Sequence, residues 1–162
     1  MRASPTLGCF VNVIVSDSWR IAFGADARVG TLVLRNVSNP AHNLALDERR
    51  RAIEEHLRAR FAGQTKADLN ALATVKAYNA FYKPFGKTYH VALQLESIAL
   101  KGKPLASASA LVQAMFMAEV EGQLHTAGHD WDAVVTPVTI AASRGDETYV
   151  RINGQAQTLK PN

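Results

Sequence analysis

Two histidines in the last third of the chain, His125 and His129, are the residues best suited to chemistry. An imidazole changes charge close to neutral pH, so it can move a proton or position a water where most side chains cannot. The commoner role of a histidine in such a polar stretch is a loop position beside a turn. Asp130 and Asp132 flank Trp131 and read first as turn or capping residues. Glu96 falls inside a helical pattern, where a carboxylate is usually solvated or ion-paired. Ser107 and Ser109 precede an apolar helical stretch, which is the place of an N-cap, with a substrate contact as the alternative. Lys83 and Lys87 lie beside Tyr78, Phe81, Tyr82 and Phe85. Basic and aromatic residues interleaved in this way suit a nucleic acid, although such aromatics more often belong to a core. The Arg49-Arg50-Arg51 run sits among glutamates and reads as a solvated helix face.

The elements that must hold these residues follow from periodicity. Residues 9–15 and 29–37 are rich in β-branched side chains and read as strands. Ser38-Asn39-Pro40 then breaks the chain. Leu46, Ile53, Leu57 and Phe61 follow helical spacing opposite a polar face, and Gly63 marks the end. A second helix is expected over residues 66–82, with Leu69, Leu72, Val75 and Tyr78 or Asn79 inward and Pro84 and Gly86 stopping it. Residues 90–100 and 109–121 complete a set of four helices. The tail reverts to strand patterns over 133–141, 148–152 and 155–159, with turns at Arg144-Gly145-Asp146 and Asn153-Gly154. An Asn-Gly pair is the strongest short hairpin signal. Strands, then helices, then strands predict an α+β fold, and without repeats or low-complexity linkers residues 1–162 read as one domain.

Composition narrows the class. Hydrophobic residues make up 48% and charged residues 20%, which is globular rather than disordered. The single Cys9 excludes an internal disulfide framework and fits a reducing compartment. No apolar run approaches the ~20 residues of a membrane span. The expected location is therefore cytoplasmic. A net charge of +4 leans toward anionic partners such as RNA.

Four stretches, in this order and spacing, resemble the editing (B-three/B-four) domain of the phenylalanyl-tRNA synthetase beta subunit. They are Tyr78-Asn79-Ala80-Phe81-Tyr82-Lys83-Pro84-Phe85-Gly86; Leu95-Glu96-Ser97-Ile98 with Lys101-Gly102-Lys103-Pro104-Leu105; the segment from Ser107 to Gln113 with Leu111-Val112; and Gly122-Gln123-Leu124-His125 through Gly128-His129-Asp130-Trp131-Asp132. The similarity runs from about Thr31 to Lys160. It implies an editing-domain fold, in a free-standing form that lacks the family's C-terminal strands.

It also implies a function: hydrolysis of mischarged aminoacyl-tRNA, a second sieve where one hydroxyl is too small a difference for the first site. Ester hydrolysis is downhill, so such a site mainly positions water and the terminal ribose and uses no metal or other cofactor. On this reading His125 or His129 is the catalytic group, Glu96, Ser107, Ser109 and Gln113 bind substrate, and Lys83, Lys87, Lys101 and Lys103 approach RNA phosphates. The partner is tRNA or aminoacyl-tRNA, no membrane is involved, and shortened strands leave a sheet edge for homo-oligomers.

Several positions depart from the family. Met115 and Phe116 stand where a polar pair is expected, Ser109-Ala110 replaces Asn-Pro, Gln113 replaces an aspartate, and His125 falls one residue early. These swaps make the pocket greasier. They point to an alternative in which a non-catalytic RNA- or ligand-binding module kept the fold and lost the pocket.

Overall fold

The structure is a computed structural model and describes residues 12–151 and 153–161. Its chain divides into two compact units, 38–128 and 1–37 with 129–162, where the sequence suggests one domain. Helix and strand are both present, and the fold is α+β.

The unit spanning 38–128 is helical. Its first helix, α2 (Leu44–Arg60), follows α1 (Asp17–Phe23) of the other unit in chain order and starts at Asn43, whose side chain accepts from Leu46 N–H at 3.1 Å. Ile53 and Leu57 face inward from α2, four residues apart, and are almost wholly buried. Glu54 lies between them and is buried too. It is matched by Arg50 at 2.7 Å, by Arg58 at 3.3 Å and by the Leu105 amide at 2.9 Å. A buried carboxylate needs such partners.

The helix expected over 66–82 is two helices, α3 (Lys66–Ala71) and α4 (Ala73–Tyr82). Thr65 and Asp68 form a capping box at the start of α3. The break falls at Leu72, whose ψ of 132° is extended rather than helical. The reason lies in packing: Leu69 joins a core with Ile53, Leu57, Phe61 and Leu95, whereas Val75 joins a separate one with Tyr89 and Val91. Leu72 touches both, and the break lets one segment serve two cores.

A single 3-10 turn, Lys83–Phe85, ends at Gly86, where φ is +63° and glycine has the freedom required. Helices α5 (His90–Ala99) and α6 (Ala110–Gly122) match the remaining two expectations within a residue or so. Helices α2, α5 and α6 pack on one another, with Leu95, Ile98, Met117 and Val120 supplied by the last two.

The other unit carries the strands. Strand β1 (Val13–Val15) pairs in parallel with β2 (Val138–Ile140), in the register Val13↔Val138. Residues 9–11 of the expected first strand lie outside the described residues. Helix α1 (Asp17–Phe23) was not anticipated; Ser16 caps it by accepting from Trp19 N–H at 3.3 Å. Residues 29–37, expected as a strand, form none: Leu32, Leu34 and Val37 are exposed and no neighbouring strand takes their backbone groups. β-branched composition favours a strand only where a partner exists. Of the strand expected over 133–141, Ala133 instead ends a short 3-10 turn, Trp131–Ala133, capped by Asp130, and only β2 forms a strand.

The Asn153-Gly154 turn joins β3 (Thr148–Val150) to β4 (Ala156–Thr158) as an antiparallel hairpin, with Tyr149 opposite Gln157. Ile152 of that hairpin lies outside the described residues. No helix among the described residues is long and apolar enough to cross a membrane.

Candidate functional site

The groups with most chemical potential meet in the helical unit, around Glu119 of α6. Residues 115–120 are otherwise apolar, so a helix that buries Met117 and Val120 carries Glu119 inward with them. Its side chain is 1% exposed.

Three tyrosines brace the neighbourhood. Tyr89, immediately before α5, is fully buried and stacks on Tyr78 with centroids 4.2 Å apart. Tyr82 stacks on the same two rings, with centroids 6.1 Å from Tyr89 and 6.3 Å from Tyr78. The Tyr89 hydroxyl donates to the Gln123 carbonyl at 2.6 Å. Burial pushes the Tyr89 phenol well above its usual range, and nearby Tyr78 and Glu119 push the same way. It therefore stays a neutral donor at ordinary pH.

Gln123 closes α6 in the left-handed region, with φ +55° and ψ +26°. A non-glycine residue there is strained and persists only where its surroundings hold it. The Tyr89 hydrogen bond does so. The chain then turns back: the His125 amide donates to the Tyr78 hydroxyl at 3.3 Å, and Thr126 donates both its amide and its hydroxyl to Glu119 Oε1, at 2.9 and 2.7 Å.

This turn sets His125 Nδ1 3.5 Å from Glu119 Oε1. His90, the first residue of α5, sets its Nε2 3.6 Å from Oε2 of the same carboxylate. The two imidazoles meet edge to face, 4.7 Å apart. Each ring is partly exposed while the carboxylate between them is sealed. The arrangement is an imidazole pair set against a buried carboxylate, able to take up a proton, hold a water or ligate a cation.

Other candidate residues from the sequence are placed as follows. His129 begins the second segment of the strand-bearing unit and is exposed. Glu96 is buried between Lys66 at 3.0 Å and Lys101 at 2.6 Å, and hydrogen bonds from Lys101, then Lys66, hold its carboxyl below the ordinary range. Gln113 is buried and donates to Asp47 at 2.9 Å. Ser107 is exposed, and Ser109 holds the N-cap position of α6 without a capping bond from its side chain. Lys83, Lys87 and Lys103 are exposed, whereas Lys101 is engaged with Glu96. Met115 and Phe116 are half-buried, and Phe116 packs against the larger core.

Of these residues His125 alone joins the Glu119 cluster; His90 and Glu119 were missed. The signal for Glu119 was a lone carboxylate in an apolar helical run. His90 gave none, because it lies 29 residues from Glu119 in the chain. A shallow depression of about 300 Å³ lies beside Arg49, His56 and Glu121 and includes none of the three. No protein-family model matches the chain, and neither curated proteins nor solved structures give a significant match.

Proposed function

We propose that the helical unit belongs to the editing-domain type and hydrolyses an aminoacyl ester of tRNA. The observation that carries the hydrolytic part is the buried Glu119 carboxylate standing 3.5 Å from His125 and 3.6 Å from His90 at a partly exposed surface. A base held by a third group is the usual arrangement for activating a nucleophile. In this reading His125 takes a proton from water as the water oxygen bonds to the ester carbonyl carbon. The carbon–oxygen bond to the ribose then breaks, and the imidazole returns the proton to the departing hydroxyl. The products are a free amino acid and tRNA. Lys83, Lys87 and Lys103 are exposed and serve the phosphates.

The test is a full panel of aminoacyl-tRNAs incubated with the purified chain. At least one should lose its amino acid faster than in buffer, and His125→Gln should slow that loss about 100-fold or more. A panel in which every ester survives as long as in buffer ends the hydrolytic reading.

A second reading rests on a different observation. Glu96 and Gln113, the expected substrate contacts, are already held by Lys66, Lys101 and Asp47. The unit would then bind RNA without turnover, with affinity falling steeply as salt rises. Failure to bind tRNA at low salt counts against both readings. Self-association through a strand edge completes the proposal, since among the described residues each strand pairs on one side only.

A further inference from the structure

We infer that His90, Glu119 and His125 form a binding site for a divalent transition metal of the zinc type. The inference stands on geometry and does not rest on the hydrolase reading.

One oxygen of Glu119 explains the need. Oε1 is satisfied twice by Thr126. Oε2 is fully buried and has no hydrogen-bond partner, while His90 Nε2 stands at 3.6 Å, too far for a normal bond. A bare carboxylate oxygen in a buried site is costly, and such orphans call for an unseen ion or water.

The donors have the spacing that a metal requires. Zinc bonds nitrogen and carboxylate oxygen at about 2.1 Å, which puts tetrahedral ligand atoms roughly 3.4 Å apart. Here His90 Nε2 stands 3.6 Å from Oε2, His125 Nδ1 stands 3.5 Å from Oε1 of the same carboxylate, and one ligand atom from each residue lies within 4.8 Å of the others. A small rotation of the half-exposed rings closes the remaining edge. Two imidazoles and one carboxylate form a donor set that catalytic zinc sites use, and they select transition metals over magnesium or calcium. Thr126 supplies the outer-shell bonds that such a ligand carboxylate normally has. The exposed sides of His90 and His125 leave a fourth position open to water or to a substrate oxygen.

The experiment uses the full untagged chain after dialysis against a chelator, titrated with Zn2+ by calorimetry and with Co2+ by visible absorption. The expected result is one ion per chain and a tetrahedral-type cobalt band. Glu119→Gln, His90→Gln and His125→Gln should each weaken binding at least ~10-fold, and Thr126→Val about 10-fold. His56→Gln, at an exposed position of α2, should change nothing. The two histidine variants keep the experiment decisive if Glu119→Gln does not fold, because both rings are partly exposed. Absence of saturable binding to the wild-type chain overturns the inference. So does binding that survives both histidine substitutions. Binding is read without turnover, so a deacylase that ignores metal and a metal-binding chain that deacylates nothing give separate results.

Discussion

The helical and the strand-bearing units are held by different means. In 38–128, Leu57, Phe61, Tyr89, Leu95 and Val120 are wholly or almost wholly removed from water, and their contacts join elements distant in sequence. In the other unit, Ala142 is the one hydrophobic residue among those described that reaches the buried class. Its order comes from backbone pairing and polar contacts more than from a core: β1 against β2, Ser16 capping α1, Arg35 lying over Trp131 at 4.6 Å, and the turn around Glu147. A site built around a buried carboxylate needs the first kind of support, because only a packed core can hold a charge away from water in fixed geometry. The Glu119 cluster sits where that support exists.

The contrast makes predictions of decreasing size. Leu57→Ala removes a fully buried side chain from the main core and should cost about 2–5 kcal/mol, read as a lowered denaturant midpoint. An equally large loss from Ile14→Ala, at a 45% exposed position, would break the comparison.

Gly145→Ala should cost about 1 kcal/mol or more. Glycine is required there because φ is +95°, and an added Cβ would lie 2.8 Å from Pro161 Cδ. The loss should appear in probes of the hairpin, such as Tyr149 fluorescence, and leave those of Tyr89 unchanged.

The smallest effect is on pH. Bonds from the Ser143 hydroxyl and then the Arg144 amide lower the Glu147 carboxyl from 4.5 to about 2. Its folded value is depressed, so the ionised carboxylate favours the folded turn fully above the ordinary value. That contribution fades as pH falls from about 4.5 to about 2. Amide signals of Arg144 and Gly145 should therefore shift in that window, and Glu147→Gln should abolish the shift. An unchanged acid titration in that variant would assign the transition to another group.

Much of this was legible in the sequence. Helical spacing of Ile53 and Leu57, the Gly63 and Gly86 stops, and the Asn153-Gly154 hairpin follow from local backbone physics, and these elements lie where that physics put them. Two of the misreadings share a cause. Residues 29–37 have strand composition without a partner strand, and residues 66–82 have a helical stripe that two cores divide at Leu72. Neither a partner nor a second core can be read from a window of a dozen residues.

The sequence by itself determined an α+β chain in which most helices, caps and turns are specified within a few neighbours, and it offered His125 and His129 as candidates. Tertiary structure alone decided that His90, 35 residues earlier, meets His125 on Glu119, because that meeting depends on Tyr89 and Tyr78 stacking and on Gln123 turning the chain back after α6. Caps and turns are short-range and leave a local signature. A shared carboxylate is a long-range contact, and it exists only once the helices have packed.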